Sequence, residues 1–201
     1  MSFDRIGIKT ITAPAAEPVL LADAKLHLRI VGTDEDTYLT HLIKVAREKV
    51  ERDSRRALIT QTLELQLDRF PGCRDVIALP YAAPLQSVTS IKYTDIDGTT
   101  ETTMGTDDYE VDIDVDPGRV RPVSTETWPP TDTALGAVRI RYVCGYGAAG
   151  TSVPATLLHC MYLLIEHWYC NRGIVVIGQT SKELEITYQD LIQPYMVREL
   201  I

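Results

Sequence analysis

Between Thr33 and Leu67 the sequence changes its period, and that change limits what the chain can fold into more than any other feature. Leu39, Leu42, Ile43, Ala46 and Val50 recur at three- and four-residue spacing, which lays one apolar stripe along a long helix. Thr33-Asp34-Glu35-Asp36 puts acids where that helix begins, while Arg47, Lys49, Arg52, Arg55 and Arg56 crowd its far end. Both placements suit the helix dipole, positive at its N-terminus and negative at its C-terminus. From Ile59 the period becomes two, with Leu63, Leu65 and Leu67 pointing one way and Glu64, Gln66 and Asp68 the other. Side chains alternate across a strand, so a half-buried strand follows the helix.

The remaining segments extend both patterns. Val19 to Ile30, preceded by Pro18, has helical composition. Ser87 to Thr94 is rich in β-branched and aromatic residues and leads into Asp97-Gly98, a hairpin dipeptide; a second hairpin is expected at Asp116-Pro117-Gly118. Its incoming strand, Tyr109 to Val115, alternates apolar and acidic residues, as Val138 to Val143 alternates around Arg139 and Arg141. Trp128-Pro129-Pro130 reads as a loop, since prolines remove ladder donors. Helix returns at Pro154 with an apolar face of Leu157, Leu158, Met161, Leu164, Ile165 and Trp168, ends at Gly173, and is followed by a last helical segment carrying Leu191, Ile192 and Tyr195 around Pro194. The expected fold is α+β: a small bundle of four helices from residues 1–58 and 146–201, with an antiparallel β-rich subdomain inserted at 59–145.

A chain of 201 residues, 45% of them hydrophobic, can bury one full core or a core with a small subdomain. Its longest apolar run, Leu157 to Ile165, falls far below the roughly 20 residues of a membrane-spanning helix. The start, Met-Ser-Phe-Asp-Arg-Ile-Gly-Ile, lacks the basic and apolar regions of a secretory signal, so the protein is expected to stay in the cytoplasm. Cys73, Cys144, Cys160 and Cys170 form no C-x-x-C pair, and about 15 Å of helical rise separates the last two; reduced, buried thiols are expected. The formal charge of -8 argues against wrapping phosphate backbones, which needs clustered cations.

Each motif that suggests chemistry has a plainer reading. Gly145-Tyr146-Gly147-Ala148-Ala149-Gly150 matches G-x-G-x-x-G after a predicted strand. A dinucleotide fingerprint, however, opens directly onto a helix inside a β-α-β unit. Here Thr151-Ser152-Val153-Pro154 intervene, which favours a flexible strand-to-helix turn. Asp112, Asp114 and Asp116 are spaced like the first ligands of a calcium loop, but its glycine position holds Pro117 and its final glutamate position Val123; Asp95 and Asp97 before Gly98 fail similarly. Asp112 and Asp114 are instead expected to face Arg139 and Arg141 in cross-strand ion pairs. His159, Glu166 and His167 share a helix without H-E-x-x-H spacing, the histidines standing about 12 Å apart in rise, so a histidine at the edge of a helix-helix interface is expected. No nucleophile-base set, P-loop or G-x-S-x-G is present. No catalytic residue, metal ligand or cofactor is assigned. Arg52, Arg55 and Arg56 could touch DNA phosphates or an acidic partner, although basic residues also belong at helix C-termini.

Several stretches together resemble the head-tail connector or adaptor proteins of long-tailed phages, in the longer form also found in phage-like gene transfer agents. Pro18-Val19 with Leu21-Ala22-Asp23-Ala24-Lys25-Leu26-His27-Leu28-Arg29-Ile30 looks like that family's opening helix, and Asp34-Glu35-Asp36 like the start of its second. Arg56-Ala57-Leu58-Ile59-Thr60-Gln61-Thr62 is similar to its helix-to-strand junction. Tyr142-Val143-Cys144-Gly145-Tyr146-Gly147, then Val153-Pro154, looks like the glycine turn before its third helix, which closes at Tyr169-Cys170-Asn171-Arg172; Pro194-Tyr195 resembles the end of its last helix. Thr60 to Arg141 matches only as a variable β insertion. The sequence departs from the pattern at Leu20, where the family offers a hydroxyl cap, and at Met196 and Val197, where a basic residue is common.

The resemblance implies a non-enzymatic structural protein without cofactors, a monomer alone that assembles into a ring, usually of twelve subunits, beneath the portal. Its implied partners are the portal protein, the stopper and tail proteins and further copies of itself, with no membrane. DNA passes through the ring without sequence-specific binding. Portal contact is implied for Gln193, Pro194, Tyr195, Met196, Val197, Arg198, Glu199, Leu200 and Ile201. The place implied is the host cytoplasm during assembly, then the head-tail junction of the virion. The alternative is a nucleotide- or small-molecule-binding protein using Gly145 to Gly150; a DNA-binding regulator using the long basic-ended helix is a third reading.

Overall fold

The computed structural model describes residues 7–72, 75–172 and 180–197. Its elements in chain order are β1 (Gly7–Thr12), α1 (Leu21–Leu28), α2 (Asp36–Ser54), β2 (Gln61–Leu67), β3 (Ile77–Ala78), β4 (Leu85–Thr94), β5 (Glu101–Thr103), β6 (Tyr109–Asp112), β7 (Arg119–Pro122), β8 (Val138–Cys144), α3 (Ala155–Cys170) and α4 (Thr180–Ile192), with short 3-10 turns at Gly150–Ser152 and Gln193–Tyr195. This is an α+β fold with four α-helices and two antiparallel sheets among the described residues. They form two compact units: Met1–Ala13 with Thr60–Gly145, and Pro14–Ile59 with Tyr146–Ile201. The sequence grouped residues 1–58 with the helices, but β1 pairs antiparallel with β2 and so belongs to the sheet.

The β unit holds a five-stranded sheet in the order β1-β2-β8-β4-β5 and a three-stranded sheet in the order β3-β7-β6. The strict alternation of β8 sends Val138, Ile140, Tyr142 and Cys144 into the core and leaves Arg139 and Arg141 half-buried on the other face. The fully buried Tyr142 still satisfies its hydroxyl, which donates to the Pro80 carbonyl at 2.6 Å. The expected hairpins form at both sites. Gly98 takes a positive φ of 70° between β4 and β5, a conformation that favours glycine. Between β6 and β7, Gly118 answers a different need, because a Cβ there would stand 2.3 Å from the Leu85 Cβ. The first arm of this hairpin is shorter than the expected Tyr109 to Val115, since pairing ends at Asp112–Arg119.

In the helical unit the predicted stripe of α2 is buried throughout: Leu39, Leu42, Ile43, Ala46 and Val50 are each at most 6% exposed. Most of it packs with Leu157, Cys160, Met161, Leu164 and Ile165 of α3 and with Tyr188 and Ile192 of α4. Helix α1 is shorter than expected from Val19 to Ile30. It starts after an extended Leu20 that makes no side-chain cap bond, and it ends where Arg29 turns left-handed. The predicted end of α3 at Gly173 lies outside the described residues.

A buried polar cluster joins α2 to the segment that follows it. The Arg47 guanidinium donates to Glu17 at 2.8 Å and to Glu51 at 2.7 Å, and the other Glu51 oxygen accepts the Leu58 N–H at 2.9 Å. Burial pushes the Glu51 carboxyl above its usual range, opposed by the Leu58 N–H and by Arg47. Burial also disfavours the Arg47 cation, but Glu17 and Glu51 outweigh it and hold the guanidinium above its ordinary value.

Candidate functional site

The apparent chemical sites do not assemble. The glycine turn after β8 leads into the 3-10 turn at Gly150–Ser152 before α3 begins, and the space beside its later glycines is occupied. A Cβ on Gly147 would meet the Ser152 Oγ at 2.5 Å, and one on Gly150 would meet the Pro18 carbonyl oxygen at 1.8 Å. These glycines let chain segments pack closely. They do not frame a cradle open to phosphates.

The acids and bases of the β unit pair differently from the expected pattern. Asp112 meets Arg119 at 2.9 Å across its own hairpin, Arg139 meets Glu101 at 2.8 Å, and Arg141 meets Glu64 at 2.8 Å. The reason is strand order: β8 lies between β2 and β4, whereas β6 lies in the other sheet. Burial disfavours the Glu64 anion, but hydrogen bonds from Arg141 and Gln66 and the charges of Arg141 and Arg139 outweigh it, holding this carboxyl below its usual range. Beside the hairpin, exposed Val76, Val111 and Ile113 line a groove of about 400 Å³, flanked by the Asp112–Arg119 and Glu110–Arg121 pairs.

His159 is exposed and His167 half-buried, and a histidine at a helix-helix contact is His27 of α1, whose Nε2 lies 3.1 Å from Glu166 on α3 and whose ring lies 5.0 Å from Tyr162. Among the described residues no group of three or more His, Cys, Asp or Glu could hold a metal ion. Cys144 and Cys160 are buried, and burial pushes the Cys160 thiol up to about 11, whereas Cys170 is exposed because it stands in the last turn of α3. Cys73 lies outside the described residues. No described helix is long and apolar enough to cross a membrane.

The C-terminal segment is placed through Val197, while Arg198 to Ile201 lie outside the described residues. Gln193 to Tyr195 continues α4 as a 3-10 turn, in which the Met196 N–H donates to the Gln193 carbonyl at 3.2 Å. The Val197 N–H donates to the Ser54 carbonyl at 3.0 Å, and the Arg56 Nε donates to the Tyr195 carbonyl at 2.6 Å. The basic cluster Arg52, Arg55 and Arg56 is therefore divided. Arg56 grips the tail, Arg52 is largely exposed with its Nε 3.7 Å from Asp53, and Arg55 closes α2 in a left-handed turn. Arg56 and Tyr195 stand 139 positions apart, so no local pattern pointed to their contact.

Residues 19–112 match the sequence profile of the phage gp6-like head-tail connector proteins. The match takes in 94 of the chain's 201 residues. The matched stretch begins just ahead of α1 and runs through β6, so the connector profile takes in the first part of the β unit as well as two helices. The family is a structural one and is non-enzymatic.

The fold is also that of chains in solved gene transfer agent (GTA) particles. A chain from the neck of an empty GTA particle, computed with C6 symmetry, superposes with a TM-score of 0.80 at 22% identity, over 97% of either chain. One from the neck of a native GTA particle, computed with C12 symmetry, gives 0.76 at 22% identity and the same coverage. A third, from the virion of a native particle, gives 0.75 at 23% identity over 96% of this chain and 97% of its counterpart. At these identities the likeness is one of fold. No curated protein matches the chain.

Proposed function

We propose that this protein is the adaptor of the head-tail connector of a tailed phage or gene transfer agent: a ring beneath the portal through which DNA passes and to which the stopper and tail attach. The observation that carries the reading is the end-to-end superposition, over 97% of either chain, on a neck chain, joined to the connector family of residues 19–112. The neck structures were computed with sixfold and twelvefold symmetry, and repeated copies related by rotation close into a ring through head-to-tail contacts. The net charge of -8 suits a subunit beside a conduit, since like charge lets DNA slide without adhering.

In this reading the helical unit is the connector domain and the β unit an insertion within it. The portal contact is Gln193 to Ile201. The protein waits in the host cytoplasm and ends in the neck of the particle. Binding of the purified protein to portal rings is the direct test. Capture on portal rings, together with unjoined heads and tails in particles lacking the protein, is the expected result; absence of both sinks the proposal.

A further inference from the structure

The described part of the C-terminal segment is held by its backbone and displayed by its side chains. Ile192 ends α4 fully buried in the helical core, and Tyr195 packs against the same core. Ser54 belongs to the last turn of α2, where helical carbonyls have no partner within the helix; the Val197 N–H supplies that partner. Arg56 adds the second tie through the Tyr195 carbonyl and also reaches the Tyr146 hydroxyl at 3.4 Å. Tyr188 of α4 donates to Asp53 of the same α2 turn at 2.9 Å. With its backbone tied down in this way, the segment keeps Gln193, Pro194 and Met196 exposed.

We infer that Arg56 is a latch that holds residues 193–197 on the end of α2 in a binding-ready conformation, so that the segment meets its partner already ordered. The partner rests on the adaptor reading above, in which this segment faces the portal; the latch itself rests on the contacts. Pre-ordering matters because a segment that must be immobilised on binding loses affinity to the entropy of ordering. Arg56 acts through Tyr195 and Val197 and is a positioning residue.

The test uses the full chain with Arg56→Ala, Arg56→Lys and, as a control, Arg52→Ala. Amide exchange at Val197, the melting temperature and affinity for purified portal rings are measured on each. With Arg56→Ala, exchange at Val197 is expected to quicken by about tenfold and portal affinity to fall by about tenfold, with little change in the melting temperature. Arg56→Lys, which keeps one donor for the Tyr195 carbonyl, should fall between, and Arg52→Ala should match the wild type. Unchanged Val197 protection in Arg56→Ala overturns the latch. Should that variant fail to fold, wild-type protection in Arg56→Lys overturns it equally. Faster exchange with undiminished portal affinity leaves the latch standing and removes the portal from this segment.

Discussion

Replacing Glu51 tests the physical account of the helix-to-strand junction at its most exacting point. The side chain is 11% exposed and does two things at once, pairing with Arg47 and accepting the Leu58 N–H. Glu51→Ala leaves the Leu58 N–H without that acceptor, a loss of about 1–3 kcal/mol for a buried donor. Removing one partner from a buried ion pair costs about 3–5 kcal/mol when the other charge is stranded. Arg47 is not stranded, because Glu17 remains 2.8 Å away, and losing Glu51 also relieves a carboxylate that burial disfavours. The net expectation is about 2–4 kcal/mol for Glu51→Ala and about half that for Glu51→Gln, which keeps the volume and an acceptor for Leu58.

Urea unfolding followed by helical circular dichroism reports on this unit, with wild type and variants compared at one pH. The pH dependence supplies a second check. A carboxyl whose pKa is raised on folding binds more protons folded than unfolded, so its contribution to stability falls as pH rises from its ordinary 4.5 through the higher folded value. That slope should be absent in Glu51→Gln. An alanine variant within about 0.5 kcal/mol of wild type, or a glutamine variant weaker than the alanine one, refutes the assignment.

Glu64 should behave in the opposite sense. Its carboxyl is held below the ordinary 4.5, so the stabilisation from Arg141 is fully present above that value and is lost as pH falls through the depressed one; parallel urea midpoints for wild type and Glu64→Gln across this range would contradict the pairing. Gly150→Ala places a Cβ 1.8 Å from the Pro18 carbonyl oxygen and should destabilise by about 1–3 kcal/mol, read as a lower melting temperature, while nucleotides leave the wild-type melting temperature unmoved. Alkylation with Cys73 replaced by serine should label Cys170 rapidly in the native protein and reach Cys144 and Cys160 only on unfolding, because the first is exposed and the others buried; quick labelling of Cys160 would overturn its placement.

Where a segment has one wet face and one dry face, the residues themselves announce the element. The stripe from Leu39 to Val50 and the alternation of β8 were legible for this reason, and both are buried as their periods require. Strand β1 was not legible, although Ile8, Thr10 and Thr12 alternate with Lys9 and Ile11. All but Ile11 of its residues are exposed, so no contrast of polarity marks it, and its pairing with β2 supplies the order. The glycine turn could be discounted from the residues that follow it, but the need for Gly150 lies in Pro18, more than a hundred residues earlier in the chain.

Charge partners were the least readable feature, because an arginine on a strand or helix end carries no mark of which carboxylate or carbonyl will reach it. Arg139 and Arg141 found Glu101 and Glu64 once the strand order put β8 between β2 and β4. Arg56 found the Tyr195 carbonyl only after α2 and the last turn packed at one end of the helical core. Periodicity alone determined that this protein combines helices with antiparallel strands, since local burial patterns repeat with local geometry. The tertiary structure alone decided the register, the pairing of Arg47 with Glu17 and the bond from Arg56 to the Tyr195 carbonyl, since those depend on contacts between residues that nothing in the local sequence ties together.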